Sequence, residues 1–126
     1  MVGGLVAVGF GAMLGAWLRW GLSLWLNGRV PHFPLGTLAS NLIGGYLVGF
    51  AVAFLAVRHD LSPEVRLFAI TGFLGGLTTF STFSAEVTQL LLSGEYGIGG
   101  GLALAHLGGS LALTIAGIAT FRALAA

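Results

Sequence analysis

The side chains that could handle an ion are gathered in three short stretches of this 126-residue chain. Residues 75–84 read GGLTTFSTFS, with five hydroxyls in ten positions and two phenylalanines, Phe80 and Phe83, three residues apart. In GTLASNLIGGYLVGF, Thr37, Asn41 and Gly45 fall at i, i+4, i+8, which is one face of a helix. In AHLGGSLALT, His106, Ser110 and Thr114 repeat that spacing. Two charges accompany them, Arg19 in GAWLRW and Glu86 just beyond the phenylalanines. Hydroxyls and amides donate hydrogen bonds, and an aromatic ring has a positive edge. Such a set can face an anion without the trapping strength of a full cation. It cannot make a catalytic centre. Glu86 has no second carboxylate to pair with, no nucleophile–base set or phosphate loop is present, and the chain reads as non-enzymatic.

The elements that must carry these residues are membrane helices. The chain is 56% hydrophobic and 7% charged, whereas soluble domains run near about 25% charged. It could not cover a water-facing surface. The absence of cysteine excludes disulfides, thiolate metal sites and a cysteine nucleophile. A formal charge of +1, with all five basic residues scattered arginines, leaves no patch for nucleic acid. A crossing takes about 20 apolar residues, and four stretches qualify, at about 5–26, 33–57, 65–92 and 98–124. Asn27-Gly28-Arg29 with Pro31 and Pro34, Arg58-His59-Asp60 with Ser62-Pro63, and Ser93-Gly94-Glu95 punctuate them. The first span is too long for a signal-peptide core and has no basic residue before it, so it reads as retained. The chain is one four-helix transmembrane domain over residues 1–126, an all-α membrane protein.

Two features bear on self-association. Gly11/Gly15, Gly45/Gly49 and Gly72/Gly76 have the small-xxx-small spacing of tight helix contacts, between subunits or within one. Arg58, Arg66 and Arg122 fall on one side of the membrane, with Arg29 and Arg19 toward the other. Three against two is almost no positive-inside bias. A chain so weakly oriented could insert both ways and pair antiparallel, although one-sided insertion also needs little bias.

Polar groups in lipid must be satisfied, so each is a candidate for packing or for a pathway. Asn41 is suited either to bonding between helices or to lining a pore. His106, Ser110 and Thr114 stack on one stripe as a water- or ion-facing track. Gly75-Gly76 followed by Thr78-Thr79 is poor helix material, and a break there would free backbone groups inside the membrane. Beyond it, Gly76, Phe80, Phe83 and Val87 are expected on one stripe and Thr79, Thr82 and Glu86 on the next. Arg19, between Trp17 and Trp20, can snorkel to the interface or make an electropositive vestibule. Glu86 suits an aqueous mouth, a hydrogen-bond partner or a proton-coupled role.

GGLTTFSTFS, GTLASNLIGG, GAWLRW and the polar stripe around Ser110 together resemble the small fluoride channels of the Fluc (CrcB) family, over essentially the whole chain. The third-span motif carries most of that resemblance. Departures are few: Tyr46 where phenylalanine is frequent, Ser40 where an aliphatic residue is, and His106 where tyrosine is common. The resemblance implies an antiparallel homodimer of dual-topology subunits with two fluoride pores, in the bacterial inner membrane. It implies passive export of fluoride from the cytoplasm. The pore residues it implies are Asn41, Phe80 and Phe83, with Ser110 and Thr114 on the polar track and Thr37, Ser81, Thr82 and His106 nearby. Arg19 and Glu86 belong to the vestibules. It also implies a third helix broken in mid-membrane at the dimer centre. There a structural sodium ion would be held by the backbone carbonyls of Gly75 and Thr78.

The physics agrees with that expectation. Fluoride is small and strongly hydrated, so a pore must replace its water with many donors yet hold it weakly enough to let go. A dual-topology multidrug carrier also has four spans and an intramembrane glutamate, but such a carrier should hold that carboxylate in its first helix. Here the first helix has Arg19 and no acid. A structural membrane subunit would not need the TTFSTF cluster.

Overall fold

The computed structural model describes every residue from Met1 to Ala126 and is all helical apart from one isolated bridge between Val30 and Phe33. Helix α1 (Val2–Leu26) is followed by α2 (Leu35–Val57) and a single turn α3 (Pro63–Arg66). A π-helical segment (Leu67–Leu74) continues α3 and leads into the short α4 (Gly75–Leu77). Then come α5 (Phe80–Leu92) and α6 (Tyr96–Ala125). Four stretches are long and apolar enough to cross a membrane: Val2–Leu26, Leu35–Val57, Pro63–Leu92 and Tyr96–Ala125. The protein is a multi-pass membrane protein.

The turns use local chemistry. Gly28 takes φ +88°, a left-handed conformation that glycine adopts without a Cβ penalty. The Asn27 side chain then accepts the Gly36 N–H at 2.7 Å, which satisfies an orphan donor of the first turn of α2. The second span begins at Leu35 rather than Phe33 because Pro34 caps α2 and Phe33 pairs with Val30. Ser62 caps α3, its side chain accepting from Val65 N–H, with Pro63 in the first turn. At the other end of α2, Arg66 donates to the Arg58 carbonyl at 2.9 Å, answering a carbonyl the helix leaves free. In the same loop Arg58 grips Asp60 through two 2.7 Å bonds. The Arg58 hydrogen bonds lower the Asp60 pKa to about 2.

Glycines set the helix packing. α1 lies along the π-helical segment and α4, while α2 and α6 form the most extensive pair. A Cβ on Gly11 or Gly15 would fall on backbone of Phe68 or Phe73, and one on Gly76 would strike the Ala12 carbonyl. Gly49 meets the Thr114 carbonyl and Gly117 meets the Tyr46 carbonyl in the same way. Here the structure decides between the two readings of the glycine pairs. The small-xxx-small pairs Gly11/Gly15, Gly45/Gly49 and Gly72/Gly76 are all consumed by contacts within the subunit, so they give no argument for self-association. Gly75 and Gly76 are themselves helical. The extended residues are Thr78, at φ −91° and ψ 156°, and Thr79, at φ −151° and ψ 123°.

Only 17 of 126 residues are buried, so most of the chain's apolar surface faces outward. Leu74, Leu77 and Leu102 lie inside, while Trp17, Trp20, Trp25, Leu111 and Ile115 point out. A soluble bundle would invert that pattern. Lipid or another protein surface can cover it.

Candidate functional site

The site is built around the two extended threonines. Thr79 has left the helical ladder, so its backbone groups need other partners, whereas the Thr78 N–H still donates to the Leu74 carbonyl at 3.0 Å. Thr79 N–H donates to Asn41 Oδ1 at 2.8 Å, and Asn41 Nδ2 donates back to the Thr79 carbonyl at 2.9 Å. The amide of Asn41 thus does for Thr79 what a neighbouring strand would do. Thr79 in turn caps α5, its Oγ1 accepting the Thr82 N–H at 3.1 Å, and lies 3.3 Å from Ser81 Oγ. Thr78 turns its hydroxyl back to the Leu74 carbonyl at 2.8 Å.

α5 then presents its aromatic residues. Phe80 and Phe83 meet edge to face, centroids 5.5 Å apart and planes at 73°. Phe83 packs on the imidazole of His106 from α6, centroids 4.5 Å apart. His106 is 3% exposed, and its Nδ1 lies 2.9 Å from Asn41 Nδ2. Further along α6, the Thr114 hydroxyl is directed at the carbonyls of Gly45 and Ser110, both at 2.9 Å.

These groups share one cavity of about 480 Å³. Asn41, Phe80, Phe83, His106, Ser110 and Thr114 all line it, and so do Gly75 and Thr78. Thr37, Ser81, Thr82, Arg19 and Glu86 do not. Thr37 is buried and donates to Glu86 Oε2 at 2.7 Å. Glu86 lines a second cavity of about 570 Å³ with Asn27, His32, Gln89 and Ser93. Arg19 does not meet an acid: its Nε donates to the Gly76 carbonyl at 3.0 Å, tying α1 to the end of α4. Gly76 belongs to α4 and Thr79 is the cap of α5, so the expected stripes along the third span do not run through either residue. Phe80, Phe83 and Val87 remain on one helix.

The carbonyls of Gly75 and Thr78 suit a cation. In a continuous helix they would accept from Thr79 N–H and Thr82 N–H. Those two donors are given instead to Asn41 Oδ1 and Thr79 Oγ1. Gly75 is exposed, with room around it on the cavity side. Neutral carbonyl oxygens without a carboxylate match a monovalent ion better than calcium or magnesium, which favour charged ligands or retained water. No cluster of three or more His, Asp or Glu side chains competes as a metal site.

Sequence reasoning missed three relationships: the Asn41–His106 contact, the Arg19–Gly76 bond and the π-helical turn. The first two join residues 65 and 57 positions apart, and neither has a local signal.

A four-span helical membrane protein with a cavity that amide, hydroxyl and aromatic side chains line where Thr78 and Thr79 are extended is therefore the class defined here. The profile of the CrcB-like protein, Camphor Resistance (CrcB), family matches residues 6–118, and the chain belongs to that family. The chain is similar to the fluoride-specific ion channel FluC of Cupriavidus necator, 61% identical over 97% of each chain. It is similar to the proteins of that name in Ralstonia nicotianae, at 59% over 96% of each, and Pseudomonas putida, at 56% over 96% of this chain and 95% of that one. Those relatives are channels, so the family's function is transport and not enzymatic catalysis.

Proposed function

We propose that this protein is a fluoride-selective channel of the bacterial inner membrane, giving passive efflux of fluoride from the cytoplasm. The observation that carries the reading is the match, over 97% of both chains, to a relative named as a fluoride-specific ion channel. The cavity supplies a physical basis for it. Polar groups from α2 and α6 line that cavity together with Phe80 and Phe83, and no lysine or arginine does. Dehydrated fluoride would meet weak donors there and no cationic side chain deep enough to hold it.

The working unit in this reading is an antiparallel dual-topology homodimer with two pores. The interrupted third span lies in mid-membrane at its centre. Phe80 is 79% exposed on the single subunit, and Gly75 is exposed beside it, so a second copy would close the groove over both. Asn41, Phe80, Phe83, His106, Ser110 and Thr114 line the path, with Thr37, Ser81 and Thr82 supporting it. Arg19 and Glu86 stand toward its ends. The freed carbonyls of Gly75 and Thr78, doubled by the partner, would hold a structural sodium ion that joins the subunits and does not move. Sodium there would supply fixed positive charge; the chain's own residues do the rest. Asn41 holds Thr79 in its extended conformation, Thr79 caps α5, and α5 aims the two rings.

The test is release of trapped fluoride from liposomes carrying the purified protein, followed with a fluoride electrode after a potassium ionophore is added. Prompt release of fluoride with retention of chloride is expected. Retention of fluoride, or equal release of both anions, would overturn the reading.

A further inference from the structure

The Asn41–His106 contact fixes where the imidazole carries its proton. The Thr79 backbone N–H can only donate, so the Asn41 atom 2.8 Å from it is the carbonyl oxygen. The other amide atom is the nitrogen, which has two hydrogens. One goes to the Thr79 carbonyl and the other to His106 Nδ1, each at 2.9 Å. Nδ1 is therefore the acceptor, and the neutral ring bears its proton on Nε2. That Nε2 is buried without a hydrogen-bond partner. Both Asn41 hydrogens are committed, so the donor left over in the pair belongs to the histidine.

We infer that His106 binds fluoride directly through Nε2–H, and that Asn41 is the residue that positions it by fixing its tautomer. The inference rests on the fluoride-channel reading above and assigns the contact within it. An unpaired N–H in a dry interior is costly, and a small anion arriving from the cavity is the acceptor that relieves it. His106 lines that cavity together with Phe80, Phe83 and Ser110. The Phe83 ring lies against the imidazole at 4.5 Å and a tilt of 36°. Nε2 is itself buried, so an ion reaches it only after a neighbouring side chain moves. A neutral imidazole presents one N–H and no net charge, which suits a site that must also release its ion.

Two carboxamide side chains separate the two ring nitrogens. Glutamine places its amide near the position of Nε2, and asparagine near that of Nδ1. His106→Gln is expected to conduct at least about tenfold faster than His106→Asn or His106→Phe, a difference equivalent to one hydrogen bond in a conduction barrier. Elution on size exclusion should match the unaltered protein for all three. Independently, nitrogen NMR of histidine-labelled protein reads the tautomer, with the His106 signals assigned by their loss in His106→Phe. Protonated Nε2, unprotonated Nδ1 and an Nε2 signal that moves with fluoride but not with chloride are expected. A proton on Nδ1, an Nε2 signal indifferent to fluoride, or an Asn variant as fast as the Gln variant would overturn the inference. Liposomes that release fluoride alongside an indifferent Nε2 would leave the channel reading standing and sink this one alone. A responsive Nε2 without release would do the reverse.

Discussion

Asn41 and Thr79 exchange two hydrogen bonds, 2.8 Å from the Thr79 N–H to Oδ1 and 2.9 Å from Nδ2 to the Thr79 carbonyl, across 38 residues of sequence. A carboxamide is the side chain that can accept and donate in this way at once. Asn41→Asp keeps the shape but removes both donors, turning oxygen toward the Thr79 carbonyl and His106 Nδ1. It also adds a negative charge beside an anion path. With about 1–3 kcal/mol for each polar group left unpaired, fluoride flux should fall by at least about tenfold. Electrode-monitored efflux measures this, and near-normal flux would show that the exchange does not matter to conduction.

The edge-to-face pair of Phe80 and Phe83 makes a separate prediction. Isoleucine preserves bulk at either position and abolishes the ring quadrupole. Phe80→Ile and Phe83→Ile should each conduct far more slowly while eluting as the unaltered protein does. Unchanged efflux in both would remove the ring edges from the mechanism.

Packing of α2 on α6 is tested at Gly49, where a Cβ would collide with the Thr114 carbonyl. Gly49→Ala must push the helices apart, and overpacking of this kind costs about 1–3 kcal/mol, occasionally more. Gly9, which has nothing within 4 Å of an added Cβ, is the matched control. Thermal unfolding in detergent should drop for the first variant and stay put for the second.

Orientation follows from the arginines. Arg58, Arg66 and Arg122 stand against Arg19 and Arg29, a near balance that predicts both insertions. Accessibility labelling of a C-terminal tag should find comparable fractions on the two sides of the membrane. Two lysines added to the loop at Arg58–Asp60 should bias insertion and lower flux. A tag confined to one side in the unaltered protein would contradict the antiparallel dimer.

Sodium dependence tests the freed carbonyls of Gly75 and Thr78. Replacing sodium with a large organic cation should suppress fluoride flux, and restoring it should recover flux without any sodium current. Full activity after rigorous depletion would leave those carbonyls to water or to a partner chain.

Much of the helical layout was legible in the sequence, because length and apolarity mark a span and Asn27-Gly28, Ser62-Pro63 and Ser93-Gly94 mark its ends. Of the faces read from i, i+4 spacing, His106, Ser110 and Thr114 line one cavity with Asn41 and Gly45, while Thr37 turns to Glu86 instead. The partners of the glycines were not legible. Small-xxx-small spacing says that a backbone comes close, but not whose, and Gly72 and Gly76 turn out to meet α1 of the same chain. Gly75-Gly76 read as helix breakers, yet both are helical, and the extended pair is Thr78–Thr79. Propensity is a weak prior there because tertiary hydrogen bonds from Asn41 decide the local conformation. Arg19, between its two tryptophans, reads as snorkelling to the interface or making an electropositive vestibule. Its bond to the Gly76 carbonyl depends on how α1 lies on α4, which no local pattern encodes.

The central claim, passive conduction selective for fluoride, is met most directly by the current through a planar bilayer holding the protein under opposed fluoride and chloride gradients. The account predicts a current that reverses at the fluoride equilibrium potential and vanishes when fluoride is replaced by chloride. A reversal set by chloride, or one that moves with an imposed proton gradient, would contradict it.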